Sequence, residues 1–441
     1  MSLYRRLASQ SSVIFAARLF GAGIVFVVQA LIARTWGADI LGEYLVIIAT
    51  VNLVAVTMPL GFQTIGGYFA AEYRAHGNRR QLVAFLARAY GHIALVFAVL
   101  LVAGQPLLSL FGLGQGTVAR HFLPVMLLAF GTTMVFVNGA VLVGMKRPFA
   151  GFFADTLFRP MIVIAGFAAA AAIADADAAF TALLWWVACG YVAICLIHFG
   201  FVVATVLAVA DEGTASTREP RRWWRFALPW VVIGLATDFF FDIDLLLLAA
   251  LLSREELAIF GVCTRVFSLV SFGVAAVYAV TMPEMFESEA RQDRAGFNRK
   301  VSEANLVAGG LSVFLFVVML IAGPFALMLF GPAFSAGAVP LAILCLALVV
   351  RSLLGPASLV LSIHDRPYAS LPAVGLGVVT LVGGNFLLVP AFGLMGAALA
   401  ALFAISLWSG ALWWTALKTA KVDVSIFQRW RRTIERATPA E

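Results

Sequence analysis

Twelve apolar stretches follow one another along this sequence, each about as long as a bilayer requires of a helix. They run over 11–33, 40–69, 82–104, 118–144, 156–174, 179–209, 226–251, 256–282, 301–323, 335–361, 369–389 and 393–417. A membrane-spanning helix needs about 20 mostly apolar residues. Lipid offers no hydrogen bonds, so the segment must satisfy its own backbone. The runs are continuous and do not alternate in ten-residue units, which predicts helices and excludes a membrane barrel. Composition agrees, with 62% hydrophobic and 12% charged residues, against about 25% charged in a soluble domain. An ordinary soluble globular protein is excluded, and so is disorder, which needs few apolar residues.

Charge placement tests this map. The formal net charge is +7. In so apolar a chain it reads as a topology bias and gives no reason to expect nucleic acid. With the N-terminus in the cytoplasm, twenty-four of the thirty Lys and Arg residues fall on the cytoplasmic side. Only Arg34, Arg120 and Arg254 fall opposite, and Arg18, Arg265 and Arg351 fall inside spans. That asymmetry supports twelve helices with both ends cytoplasmic. Met1–Arg6 precedes an apolar run too long for a leader core, so a retained first span is expected. The basic tail, 418–441, is expected either to lie on the anionic inner leaflet or to be solvated. Cys189, Cys195, Cys263 and Cys345 lack metal or disulfide spacing and are expected as small core residues. No cofactor or metal is expected.

The chain also resembles itself. Phe69–Gly77 matches Met285–Asp293 in place and polarity at an offset of 216, and Leu110-Phe111-Gly112 recurs as Leu329-Phe330-Gly331 at 219. Val141-Leu142 recurs as Val360-Leu361, and Arg147-Pro148 as Arg366-Pro367, both at 219. Two six-helix halves follow: a bundle over 1–210, a polar cytoplasmic linker over 211–225, a bundle over 226–417, then the tail. Six is even, so the halves are parallel repeats, an architecture that places a substrate site near the membrane midplane.

Charge inside a span costs at least about 2.5–3.5 kcal/mol, so such residues face a cavity or a partner. Arg18 lies in helix one, Asp238, Asp242 and Asp244 in helix seven, Arg265 in helix eight and Arg351 in helix ten. Arginine's fixed fork of donors suits phosphate oxygens, so a cationic cavity is one reading. Internal pairing is the other. Asp238 and Arg265 stand at similar depth on consecutive helices, while Asp242 and Asp244 lie nearer the outer end, within reach of water. For the aspartates, structural pairing and a cation or proton site both fit. Asp242-Ile243-Asp244 has a metal-binding D-x-D form, but three residues in an apolar helix carry little weight. His92 and His198 are expected to be packed. Gln29, Asn52, Gln63, Asn138 and Asn385 either line a cavity or join helices by hydrogen bonds.

Several segments, in order along about 400 residues, carry a family resemblance. They are Ala33–Tyr44, Leu60-Gly61-Phe62, Phe241–Leu248 with Leu257–Phe260, Leu329-Phe330-Gly331, Leu341–Leu344, Asn385 and Val389–Ala398. The sequence resembles the polysaccharide/O-antigen flippases of the multidrug/oligosaccharidyl-lipid/polysaccharide exporter superfamily. The resemblance implies an all-α polytopic fold around a central cavity. It also implies transfer of undecaprenyl-diphosphate-linked sugar units across a bacterial inner membrane, beside glycan polymerase machinery. Arg18, Arg265 and Arg351 then become candidate contacts for the diphosphate or acidic sugars. The peptidoglycan-precursor branch is expected to have fourteen helices, which twelve spans disfavour.

Two alternatives frame this expectation. A cation-coupled multidrug exporter of the same superfamily requires an acidic cavity in the N-terminal half, where acidic residues inside spans are few. A membrane glycan polymerase or glycosyltransferase requires a large outer loop or a catalytic domain, and the loops here are short.

Overall fold

The computed structural model describes residues 3–211, 219–364 and 366–428. Much of the expected linker, with Arg218, and the end of the tail, 429–441, lie outside the described residues. Helices make up nearly all of what is described. They are α1 (Leu3–Trp36), α2 (Ala38–Thr57), α3 (Phe62–Ala75), α4 (Arg79–Leu110), α5 (Thr117–Arg120), α6 (Phe122–Gly144) and α7 (Pro148–Phe153). A π-helical turn, Ala154–Phe158, leads into α8 (Arg159–Ala170), α9 (Ala176–Leu207), α10 (Glu219–Asp238) and α11 (Phe240–Leu248). Then come α12 (Arg254–Ala290), α13 (Arg294–Met328), α14 (Ala338–Leu354), α15 (Ala357–Ile363) and α16 (Leu371–Thr419).

Among the described residues, ten helical segments are long and apolar enough to cross a membrane. The protein is a multi-pass membrane protein. One of the ten, Pro367–Thr419, carries both of the last two expected spans, which separate at Gly393, where φ is 53°. The expected seventh span is not one helix: α10 and α11 meet at Phe239. The expected second span is likewise broken between α2 and α3. Pro59 removes a backbone donor there, and Leu60 and Gly61 take φ of 51° and 88°.

Packing divides the chain into two units, Met1–Ile243 and Asp244–Glu441. In the first, α6 packs against α9, α3, α2, α7 and α4. Small residues permit the approach: a Cβ on Gly144 would stand 2.2 Å from the Gly67 carbonyl oxygen. Phe62, Phe69, Phe85, Tyr73 and Trp223 form a buried aromatic core. The division falls within α11, beyond the polar linker, because α10 packs on α2 and α3. Arg222 donates to both oxygens of Glu72 at 2.6 and 2.8 Å, and Trp223 Nε1 donates to Tyr73 Oη at 2.7 Å. The Arg222 hydrogen bonds hold the Glu72 carboxyl below its ordinary pKa, against the opposing effect of burial.

In the second unit α12, α13, α14 and α16 pack on one another. The start of the tail is packed, which neither expectation included: residues 420–428 form a strap against the break between α14 and α15. Val424, Ser425 and Gln428 are buried. Ile426 N donates to Leu353 O at 3.0 Å, and Asn305 Nδ2 donates to Val424 O at 3.0 Å. Asp423 accepts from Trp413 Nε1 at 2.9 Å and from Ser425 N at 3.0 Å. Of the cysteines, Cys195, Cys263 and Cys345 are buried, but Cys189 is exposed.

Local geometry supports the repeat. After α4 and α13, Gly112 and Gly331 both take positive φ. Arg147 N donates to Leu142 O and Arg366 N donates to Leu361 O, each at 2.8 Å. Pro148 and Pro367 each begin the next helical turn.

Candidate functional site

The two arginines singled out near the span ends have similar surroundings in their separate units. Arg18, exposed on α1, places its guanidinium carbon 4.7 Å from the centre of the Phe152 ring on α7. Arg351, exposed near the end of α14, stands 5.7 Å from the Trp408 ring on α16. An aromatic face attracts a cation, so each guanidinium has a ring beside it that orients it. Arg265 is half-buried on α12.

The aspartates depart from expectation. Asp238, at the end of α10, is exposed, whereas Asp242 and Asp244 are buried and do not reach water. Asp242 Oδ2 accepts from Asn52 Nδ2 at 3.2 Å. Asp244 is fully buried, and its Oδ1 accepts from Asn385 Nδ2 at 2.6 Å. Asp244 Oδ2 and Asn385 Oδ1 are also buried, and neither has a hydrogen-bond partner among the described residues. Buried oxygens of this kind need a donor or a cation. A proton on the carboxyl, or a small cation held by both oxygens, would satisfy them.

Asparagines join helices, one of the two roles open to them. Besides those two pairs, Asn138 Oδ1 accepts from Tyr90 Oη at 2.7 Å. Both histidines are packed: His198 Nε2 lies 2.8 Å from Ala150 O, and the His92 ring lies 5.1 Å from Phe62 and 4.9 Å from Trp224.

Two ion pairs in the first unit escaped the sequence reading. Arg159, counted there among the cytoplasmic charges although it falls at the start of the expected 156–174 span, lies in the Pro148–Ala170 span. Its Nη1 donates to Asp155 Oδ1 at 3.2 Å, Tyr191 Oη donates to the same oxygen at 2.8 Å, and the guanidinium covers the Tyr191 ring at 5.3 Å. The i, i+4 spacing of Asp155 and Arg159 was a legible signal. The π-helical turn between α7 and α8 was not. Glu43, buried on α2, pairs with Arg120 at 2.5 Å. Glu43 and Asp155, two acids in the spans of this unit, are thus each paired with an arginine. Among the described residues no group of three or more His, Cys, Asp or Glu side chains gathers as a metal site.

Comparison with solved structures shows the fold. An inward-facing multidrug resistance MATE family transporter of the MOP superfamily aligns with TM-score 0.73 and 13% identity, over 95% of this chain and 96% of that one. The lipid II flippase MurJ, in an inward closed conformation, aligns with TM-score 0.74 and 11% identity, over 97% and 93%. An outward-facing MATE transporter aligns with TM-score 0.64 and 13% identity, over 92% and 93%. The chain has the fold these transporters share. No protein-family model matches the sequence, and no curated protein matches it.

Proposed function

We propose that this protein is a flippase. It carries undecaprenyl-diphosphate-linked oligosaccharide units across a bacterial inner membrane by alternating access, for O-antigen or exopolysaccharide assembly. Both termini are cytoplasmic in this reading, and the protein catalyses no bond change. The observation that carries it is the pair of exposed, ring-oriented arginines, Arg18 and Arg351, one from each unit of a transporter fold. They suit the diphosphate that every lipid-linked donor carries, whatever its sugar. The pairing of Glu43 with Arg120 and of Asp155 with Arg159 weakens the multidrug-exporter alternative, which needs acids able to bind a cationic drug. Anionic lipids and a glycan polymerase are the partners this function implies.

Deletion of the gene followed by analysis of lipid-linked intermediates tests the proposal. Accumulation of the intermediate on the cytoplasmic leaflet is expected. An unchanged surface glycan with altered drug sensitivity would favour the exporter instead.

The buried Asp244–Asn385 pair supports a proton or a monovalent cation as the coupling ion. Asp244→Asn keeps the shape and the capacity to hydrogen-bond Asn385, but removes the carboxylate. Loss of most export at unchanged membrane abundance is expected. Export at the wild-type rate would exclude a coupling role for Asp244.

A further inference from the structure

A cleft of about 310 Å³ opens in the second unit, where the α12–α13 turn, the end of α15 and the start of the tail meet. It has no part in the transport reading. Three basic side chains line it, Arg294, Arg366 and Lys421. Among the described residues the one carboxylate lining it is Glu289, whose Oε2 lies 3.6 Å from His364 Nε2. The three cations come from three separate segments: the first residue of α13, the turn after α15, and the strap that follows α16. Folding brings them together, and nothing in their sequence spacing would.

The walls favour an anion. Arg366 Nη1 donates to Thr419 O at 3.0 Å. This holds the guanidinium in place and covers a carbonyl at the negative end of α16, which would otherwise repel an anion. A guanidinium has five N–H groups, so its fork retains donors for a ligand. The first turn of α13 also lines the cleft, its Gly296 N–H already taken by the capping Asp293 carboxylate. Arg294 and Lys421 are exposed and form no ion pair among the described residues. Lys421 takes φ of 56°, a left-handed conformation uncommon for a residue with a side chain. Val422 and Val424, buried just after it, hold the strap. Asn298 also lines the cleft, and its Oδ1 is buried without a hydrogen-bond partner among the described residues. It is an acceptor suited to a ligand hydroxyl. The volume lies at the lower end of small-molecule sites. It admits a phosphate with a short polyol but not a lipid-linked oligosaccharide.

We infer that this cleft binds a phosphate-bearing anion on the side of the membrane that the Lys and Arg bias assigns to the cytoplasm. Two sources share that chemistry, the headgroup of an anionic phospholipid and free inorganic phosphate. Calorimetric titration of the purified full-length protein in detergent distinguishes them. The probes are inorganic phosphate and short-chain phosphatidylglycerol, with short-chain phosphatidylcholine as the zwitterionic comparison. Arg294→Ala and Lys421→Ala are each expected to weaken binding about tenfold, the scale of one lost charge-assisted hydrogen bond. Arg299→Ala removes the same charge from an exposed neighbour outside the cleft and is expected to leave binding unchanged. Melting without ligand checks that all three variants remain folded. Binding of phosphatidylglycerol but not of inorganic phosphate assigns a lipid site. Binding of inorganic phosphate with the same sensitivity to the variants assigns a free-phosphate site. Failure of both probes to bind, or equal effects of all three variants, overturns the inference.

Discussion

Arg18→Ala and Arg351→Ala, made singly, are expected to abolish export of the surface glycan while each variant accumulates in the membrane at the wild-type level. Both side chains are exposed, and each faces an aromatic ring, a contact worth about 0.5–1 kcal/mol at an exposed site. Truncation therefore costs little folding energy, and loss of export would report on the ligand. The chemistry predicts a graded series. Arg→Lys at either position keeps the charge but loses the planar fork that binds two phosphate oxygens together, so partial export is expected. Phe152→Leu and Trp408→Leu keep the arginine but remove the face that orients it, and intermediate loss is expected. Wild-type export by both alanine variants would refute the cationic path.

Gly355→Ala is expected to destabilise the second unit by at least about 3 kcal/mol, a size reached only through specific structural faults. Gly355 closes α14 with φ of 84° and ψ of 178°. That region is essentially restricted to glycine and costs a side-chain-bearing residue about 1–3 kcal/mol. A Cβ there would also stand 1.8 Å from the Val424 carbonyl oxygen. That atom is backbone, so no rotamer change relieves the clash and the strap must lift. Lifting it removes the bond from Asn305 to Val424 O and strands a fully buried amide, at about 1–3 kcal/mol more. Gly375→Ala is the control. It lies within α16 with nothing inside 4 Å of a new Cβ, and alanine favours a helix interior by about 1 kcal/mol. Thermal melting in detergent separates the two variants. Equal midpoints would mean that the strap does not hold α14 and α15 in place.

Spans were legible because hydropathy acts locally: each segment must satisfy lipid by itself, and its residues say whether it does. The breaks were partly legible. Pro59 and Gly61 marked the interruption of the second span, whereas nothing in Asp238-Phe239-Phe240 announced that the seventh would be two helices. For the intramembrane charges, the sequence supplied a short list but not the partners. Asp242 and Asp244 are two residues apart, and the sequence placed both nearer the outer end, with pairing and a cation or proton site both open. In the fold they hydrogen-bond to asparagines in different units, Asn52 and Asn385, and both are buried. Arg159 was misplaced because a charge near an expected span end looks like a topology marker until its neighbours are known.

The sequence alone determined the membrane as solvent, the helical class, the twofold internal repeat and the few positions where charge enters the spans. All of these follow from composition and order along the chain. Tertiary structure decided which charges are paired, that the tail begins as a buried strap, and that Arg294, Arg366 and Lys421 line one cleft. Those outcomes join residues tens to more than a hundred positions apart, as with Asp244 and Asn385, separated by 141. Packing of whole helices brings such residues together, and local propensity carries no record of it.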